Sequence, residues 1–333
     1  GGKKSISTTG TSVHGILAIS EAGNGGEGGE GHGPDDGIGG NGGHGGTGGN
    51  VSITYEGDIT TTGDTAVGVL IQSLGGAGGE GGPGKSWFDG NGGHANEPGP
   101  GGDASVDLKS GTITTSGEQA VGILIESVGG FAGSSGESDG FVAYGANGES
   151  GGDGGTVSAT LEDYSIDTAG DYAVGLIAAS IGGGGGTGSK DEGFDAIGAT
   201  GGAGGAGGKV EVTLAGTSSI TTKGEGAPGI LAMSAGGGGG VSGGNDGVVA
   251  LGGQGGEGGN AGDVTVTNDG DTTINTSGKY SVGAMISSIG NGGGKSTSPK
   301  GAWALGANGG GGGSGSDVSV DFKSGTFKVT TEG

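Results

Sequence analysis

Short segments of alternating apolar and polar residues recur along the chain. One of them, residues 104–108, carries apolar side chains at Ala104, Val106 and Leu108 and polar side chains between them. This alternation predicts a β-strand with one face in a core and the other in water. The same pattern returns at residues 51–55, 157–161, 210–214, 264–266 and 318–322.

Two more strands are predicted to follow each of these segments. After a corner at Ser110 and Gly111, residues 112–115 form a short strand that directs Ile113 to the core, with counterparts at Ile6, Ile59, Ile166, Ile220 and Ile274. Residues 120–125 are apolar at consecutive positions, which predicts a strand buried on both faces. One face closes the core with the first two strands. The other face needs a cover, for which the following glycine-rich residues are the candidate.

The predicted strands belong to a tandem repeat. A motif of Gly, three apolar residues, a variable residue and Ser recurs every 53 or 54 residues. Self-similarity at a fixed period indicates that each copy buries its apolar face by stacking on its neighbours. The Ser residues are Ser20, Ser73, Ser127, Ser180, Ser234 and Ser288, and a second series in the same phase is Thr8, Thr61, Thr115, Thr168, Thr222 and Thr276.

Each copy is interpreted as one turn, or rung, of a parallel β-helix (β-solenoid), and the chain as a single array of rungs. The predicted boundaries are 1–50 (partial rung 1), 51–103, 104–156, 157–209, 210–263, 264–317 and 318–333 (partial rung 7). No window shows the apolar spacing of an amphipathic helix, so the predicted class is all-β with essentially no α-helix.

The remainder of each rung is a glycine-rich excursion, here called an arm. Arms contain Gly-Gly-x triplets, as at residues 75–80 and 201–206. A period of three matches the three residues per turn of the polyproline-II helix, whose peptide groups are available to neighbouring chains. We therefore predict ordered arms that run out, turn at a polar tip and return as packed polyglycine helices. A polar residue that follows an apolar one in each arm forms a third predicted series: Asn41, Asn91, Asn147, Thr200, Gln254 and Asn308.

Composition and charge restrict the partners of such an array. The chain has 12 basic and 36 acidic residues, a net charge of −24, and it contains no Arg. Nucleic acid is excluded as a partner, because no basic patch is available to bind it. No run of 18 apolar residues occurs, so direct membrane insertion by this segment is not expected. The 102 glycines and the low aromatic content rule out an ordinary globular core.

Several local motifs have a simpler explanation in the repeat itself. Residues 79–86 satisfy the P-loop pattern, but a phosphate-binding loop must lead into a helix, and more Gly follows here. Residues 258–266 resemble one calcium-binding nonapeptide, which normally works in tandem, so only adventitious Ca²⁺ is expected. His44 and His94 occupy similar local sequences and are interpreted as repeat drift rather than a metal site. No catalytic, cofactor-binding or metal-ligating residues are therefore predicted.

An outward series of short polar side chains invites an ice-binding hypothesis. The residues are Ser7, Thr60, Thr114, Asp167, Thr221 and Asn275. Ice binding needs a regular flat array, and the charge at Asp167 breaks that regularity. An ordinary solvated strand face is the favoured interpretation.

The phrase at residues 219–240, Ser-Ile-Thr-Thr-Lys-Gly-Glu-Gly-Ala-Pro-Gly-Ile-Leu-Ala-Met-Ser-Ala followed by five glycines, resembles the repeats of glycine-rich passenger regions of bacterial autotransporters. The match recurs in all six copies. The resemblance implies a right-handed β-helix at an extracellular or bacterial cell-surface location. It also implies a signal peptide and a C-terminal outer-membrane barrel beyond the ends of this sequence.

These observations favour a non-catalytic structural module, such as a fibre, stalk or adhesin shaft. Its expected partners are neighbouring repeats of a longer chain or further copies stacked end to end into a filament. The alternative is an adhesion module that binds host or surface ligands through the arm tips, where the copies diverge, as in residues 141–144 and 300–303. An enzyme ranks third, since no convergent set of polar residues is evident.

Overall fold

The computed structural model describes residues 4–332, and in that range the regular structure consists of strands in three sheets without any helix. Neighbouring strands pair in parallel in each sheet, as in the pairing of Ala104 with Val157 and of Ile123 with Leu176. The predicted all-β class and parallel arrangement are confirmed. None of the described residues forms a helix that could cross a membrane.

Sheet A contains the alternating segments and the short Ile-bearing strands together. Both predicted strands of a rung lie in this one sheet, so the corner predicted at Ser110 is instead a local kink with φ 50° inside a continuous strand. The strands are Ser5–Thr9, Val51–Glu56, Asp58–Thr62, Ala104–Ser116, Val157–Ala169, Val210–Thr222, Val264–Ser277, Val318–Ser324 and Phe327–Glu332.

Sheet B contains the strands that were predicted from consecutive apolar residues. The chain enters each of them through a corner, and at one corner Gly117 adopts φ 140°, a conformation that favours glycine. The strands are Ile16–Glu21, Val69–Leu74, Leu176–Ile181, Ile123–Val128, Ile230–Ala235 and Ala284–Ile289.

Sheet C lies at the arm tips and was not predicted. Each arm contributes short strands from its outward and returning segments, and equivalent strands of successive arms pair in parallel. The strands are Gly31–Gly33, Asp36–Ile38, Gly84–Ser86, Asp89–Asn91, Ser138–Asp139, Val142–Tyr144, Asp191–Ile197, Asn245–Leu251 and Trp303–Leu305.

The core lies between sheets A and B. Paired residues in adjacent strands are 53 to 55 positions apart, so chemically similar side chains stand in columns. Ile113 and Ile166 of sheet A are almost inaccessible to solvent and belong to the same cluster as Ile123 and Leu176 of sheet B. Burial of these columns is the main hydrophobic contribution to stability.

The other face of sheet B is less covered than the sequence predicted. Leu124, Ile177 and Leu231 pack against a small cluster that includes Leu70 and Val121, but all three stay partly exposed. The arms do not provide a full cover, because they leave the solenoid at the end of each sheet B strand. The prediction of burial on both faces is wrong at these three positions.

The arms are held by backbone hydrogen bonds between different segments. The first Gly of a triplet in an outward segment donates to the outward segment of the next rung, as Gly78 N does to Phe131 O at 3.0 Å. The second Gly donates to the returning segment of an adjacent arm, as Gly79 N does to Gly43 O at 2.8 Å. The third residue faces outward, and Glu80 is exposed there. A Cβ on Gly78 or Gly79 would overlap a neighbouring carbonyl oxygen, which explains why both positions are glycine.

Candidate functional site: the arm tips

The Ser series joins the arms to the solenoid. Ser127 Oγ donates to Gly102 O at 2.8 Å and accepts from Gly155 N at 2.7 Å. Both glycines belong to the returning segments of arms. Gly102 lies in the preceding rung, and Gly155 lies in the same rung as Ser127. Equivalent bonds to returning segments are made by Ser20, Ser73, Ser180, Ser234 and Ser288. The series is thus a repeated structural contact.

The Thr series closes the corner between sheets A and B. Thr115 Oγ1 donates to Ala120 O at 2.6 Å, five residues further along the chain. The same bond is made by Thr8, Thr61, Thr168 and Thr222. Thr276 differs, since its buried Oγ1 has no hydrogen-bond partner in the described structure.

The third predicted series is wrong at one position. Asn41 Oδ1 accepts from His94 N at 3.0 Å, and Asn147 Oδ1 accepts from Thr200 N at 2.9 Å. The residue in register with Asn41 is therefore His94, whereas Asn91 pairs with Ile38 and Tyr144 in sheet C. Phe88, the apolar residue used as the sequence marker in the second arm, lies in the corner, whereas Asn91 itself occupies the position that Ile38 and Tyr144 have in the first and third arms. Gln254 and Asn308 continue the column that contains Thr200, since Gly201 N bonds to Gln254 O and Gly255 N to Asn308 O.

Sheet C has a buried face of small residues and an outward face of large apolar ones. Ala143, Ala196 and Ala250 lie in the buried column. The flanking outward column contains Ile38, Tyr144, Ile197, Leu251 and Leu305, all of them exposed. Asn91 interrupts this column between Ile38 and Tyr144. Exposed apolar groups clustered in this way are typical of interaction surfaces.

Aromatic residues are concentrated at the tips. Both tryptophans of the chain are here, with Trp87 84% and Trp303 76% exposed. Phe141 and Phe194 of successive arms stack with a centroid separation of 5.0 Å and an interplanar angle of 3°. A stack of this kind fixes the rings in place while leaving their outer edges accessible.

A cleft of about 620 Å³ opens beside this stack, at the first three arms. It is lined by Trp87 and Phe141, by the polar side chains His32, Lys85, Ser86 and Asp139, and by Gly33, Pro34 and Gly140. Its volume is in the range of small-molecule sites. Sequence reasoning did not predict this cleft, because the step in corner length that creates it is evident only from the strand pairing on both sides of the corner.

The polar wall of the cleft is organised by one carboxylate. Glu30 Oε1 lies 3.0 Å from Lys85 Nζ and 2.8 Å from His32 Nε2. The hydrogen bond from Lys85 lowers the pKa of Glu30, and the same bond raises the pKa of Lys85, so both groups are ionised over a wide pH range. The contact lies on an exposed surface and orients Lys85 without contributing much stability.

A buried carboxylate lies in the same sheet, away from the cleft. Asp191 Oδ1 accepts from Ser189 Oγ at 2.8 Å and from Ser138 Oγ, while Oδ2 has no partner in the described structure. Burial raises the pKa of Asp191 to about 6, and the two hydroxyl bonds oppose that rise. Desolvation therefore exceeds hydrogen bonding in its effect on this group.

The outward polar series of sheet A forms a column in register. Ser7, Thr60, Thr114 and Asp167 pair successively, and Thr221 and Asn275 continue the column. Asp167 Oδ1 lies 2.9 Å from Lys223 Nζ, so an ion pair interrupts the hydroxyl array.

The P-loop pattern does not have the surroundings of a phosphate site. Lys85 and Ser86 lie in a short strand of sheet C and are not followed by a helix in the described range. His44 and His94 are one triplet out of register, because His94 N bonds to Asn41. Among residues 4–332, no three His, Asp or Glu side chains come together as a possible metal site.

Comparison with known proteins gives little further information. No family model matches the chain, and no curated protein matches it. A springtail antifreeze protein from Granisotoma rainieri, described as a bundle of nine polyproline type II helices, is 22% identical; the match covers 58% of this chain and 94% of that one, with a TM-score of 0.16. Endopolygalacturonase I from Stereum purpureum is 10% identical over 96% of each chain, with a TM-score of 0.08. Neither likeness carries an argument at these TM-scores.

Proposed function

We propose that this chain is a non-catalytic structural segment of an extracellular or bacterial cell-surface protein, used as a stalk, fibre or adhesin shaft. The finer fold belongs to the same proposal: a right-handed solenoid with one rung per 53 or 54 residues and arms of polyglycine-II type. The observation that carries it is the repetition of the Ser-to-glycine contacts in successive rungs. A contact that recurs in every rung serves the array, whereas an active site occurs once.

The extended stacking supports a rigid shaft. Sheet A continues through all seven predicted rungs and sheet B through the first six, and the arms add a second hydrogen-bonded layer beside them. Such an object resists bending because each rung is bonded to the next through both layers. The resemblance to autotransporter passenger repeats supports the surface location.

Two measurements test the structural proposal. Antibodies against this chain are expected to label intact cells of the source organism, and labelling restricted to permeabilised cells would contradict the surface location. Negative-stain microscopy of the native protein is expected to show straight rods. Rods of one fixed length indicate a stalk within a longer chain, and rods of variable length indicate end-to-end filaments. Compact particles without rods would refute the shaft.

Adhesion through the arm tips is a second candidate function. The observation that favours it is the exposure of Trp87, Phe141, Tyr144 and Trp303 in a protein whose core contains almost no aromatic residues. Alanine substitution of Tyr144 and Trp303 together is expected to reduce attachment of purified protein to the natural target surface. Unchanged attachment would contradict adhesion through these residues, and the structural role would be the only function proposed.

A further inference from the structure

The corner of the arm tip changes length at one step of the stack. His32 pairs with Lys85 and Asp36 with Asp89, so rungs 1 and 2 each have three residues between these two positions, 33–35 and 86–88, and the corner is counted here between them. In rung 3 the pairs are Lys85 with Asp139 and Asp89 with Val142, which leaves only two, 140 and 141. Rungs 4 and 5 keep two, 193–194 and 247–248.

The cleft opens where the longer corner meets the shorter one. Trp87 lies in the longer corner of rung 2, and Gly140 and Phe141 form the shorter corner of rung 3. The residue at the Trp87 position of rung 1 is Pro34, which is smaller. The large ring of Trp87 therefore stands beside Pro34 and Gly140, and the cleft opens between them. A feature that breaks the repeat is the kind of feature expected of a specific site.

The backbone beside Trp87 and the ring of Phe141 are fixed in position. Ser86 Oγ accepts from Phe88 N at 3.0 Å and donates to Asp35 O of the preceding rung at 3.2 Å, so the backbone on both sides of Trp87 is held, and the indole itself is 84% exposed. Phe141 is held by its stack on Phe194. A ring that is fixed before binding, as Phe141 is, loses little conformational entropy when a ligand stacks on it.

The polar groups and the charge define the ligand class. Glu30 uses one of the three donor positions of Lys85, and Asp139 supplies acceptors on the next rung. Aromatic faces combined with hydrogen-bonding groups suit a flat molecule that has an apolar face and several hydroxyls. Lys85 and Asp139 carry opposite charges, and the chain as a whole has a net charge of −24. Anionic polymers are therefore repelled.

We propose that this cleft binds a neutral saccharide, with one sugar ring stacked on Trp87 and its hydroxyls hydrogen-bonded to Lys85 and Asp139. The proposal rests on the candidate binding function of the arm tips and is independent of the shaft, so rod morphology in the microscope tests one and saccharide titration the other. The proposed saccharide site is the cleft between the corners of rungs 2 and 3, and the exposed apolar column of sheet C is not part of it.

The test uses the full chain with Trp303→Phe, which makes Trp87 the sole tryptophan. This protein is titrated with neutral hexasaccharides of glucose, mannose and galactose in several linkages, followed by tryptophan fluorescence and calorimetry. At least one hexasaccharide is expected to bind saturably and shift the emission. In calorimetry, Trp87→Ala is expected to weaken that binding by about tenfold or more, and Lys85→Ala several-fold. Both side chains are partly or largely exposed, so the variants should keep the wild-type circular dichroism.

The matched control is Tyr280→Ala in the same Trp303→Phe background, because Tyr280 is 84% exposed, as Trp87 is, and lies outside sheet C; this variant should bind as the unsubstituted background does. Absence of saturable binding to every hexasaccharide would overturn the proposal. So would wild-type affinity in Trp87→Ala, or binding restricted to a polyanionic probe such as heparin.

Discussion

The body of the solenoid is held together by side chains, whereas the glycine arms are held together by the backbone. Between sheets A and B, columns of Ile, Leu and Val are removed from water. In the arms, both glycines of a triplet donate to carbonyl groups of neighbouring segments, and little side-chain volume lies between them. The two regions share the same rungs and differ in the kind of contact that joins one rung to the next.

This difference determines which substitutions each region accepts. A side-chain core accepts smaller residues at a cost that depends on the cavity left behind. A backbone-packed layer has no room for even one added carbon, but the outward residue of each triplet is unconstrained. The following predictions test that contrast, from the largest expected effect to the smallest.

Ile113→Ala is expected to have the largest effect. Ile113 is fully buried between sheets A and B, and its truncation should lower the free energy of unfolding by about 4 kcal/mol. Urea denaturation followed by circular dichroism measures the change. Leu124→Ala is the matched control, because Leu124 lies on the partly exposed face of sheet B and should cost about 1 kcal/mol. Equal costs would mean that the outer face of sheet B is as fully buried as the core between sheets A and B.

Gly237→Ala tests the backbone-packed layer directly. An added Cβ would overlap the carbonyl oxygen of Gly183, which belongs to the backbone and cannot move aside. The expected loss is about 3 kcal/mol, seen as a lower denaturation midpoint. The adjacent Gly238 is the control, since nothing lies within 4 Å of its Cβ position. Gly238→Ala should be neutral or stabilising by about 0.5 kcal/mol. If both variants behave alike, the arms are not packed as described.

Asp191→Asn tests a polar exception inside the arm tips. Burial raises the pKa of Asp191 to about 6 from 3.8, so between these values the folded protein binds the proton more tightly than the unfolded chain. Stability from this group is therefore greatest at low pH and falls as pH rises through about 6. The cost above pH 6 is up to about 3 kcal/mol.

The asparagine variant should be more stable than the wild type at pH 7.5 and similar to it near pH 4, as measured by thermal unfolding at both pH values. The exposed carboxylate of Asp36, in the same sheet, provides the control. Asp36→Asn should keep the wild-type pH dependence. A parallel pH dependence of Asp191→Asn and the wild type would show that burial does not control this carboxylate.

The sequence predicts the solenoid body better than the arm tips, for physical reasons. Alternation at residues such as Val106 and Leu108 predicts a strand with one buried and one exposed face. The recurrence of Ile at the position of Ile113 predicts which residues pair in adjacent strands. The same reasoning failed at Ser110, because a kink inside one strand and a turn between two strands have the same local residues. Full burial of Leu124 was wrong because consecutive apolar residues do not say what covers them.

The tips were the least predictable region. Sheet C is made of strands as short as Ser138–Asp139, too short for any periodicity to appear. Asn91 was misplaced because the apolar marker of the second arm, Phe88, lies in the corner, whereas Asn91 itself occupies the position of Ile38. The cleft arises where the corner shortens between the second and third arms, so it becomes visible only when the pairing on both sides of the corner is known.

Ser127→Ala tests the junction between the side-chain core and the backbone layer. Removal of Oγ leaves Gly102 O and Gly155 N without their buried partner, which should cost about 2 kcal/mol. The amide of Gly155 should exchange hydrogen faster, whereas amides beside Ile113 should keep their protection. Ser105→Ala, on the outward face of sheet A, is the control and should change neither rate. If the core amides lose protection together with Gly155, the rung unfolds as one unit. Faster exchange in the arm alone would establish the Ser series as the boundary between two separately stable layers.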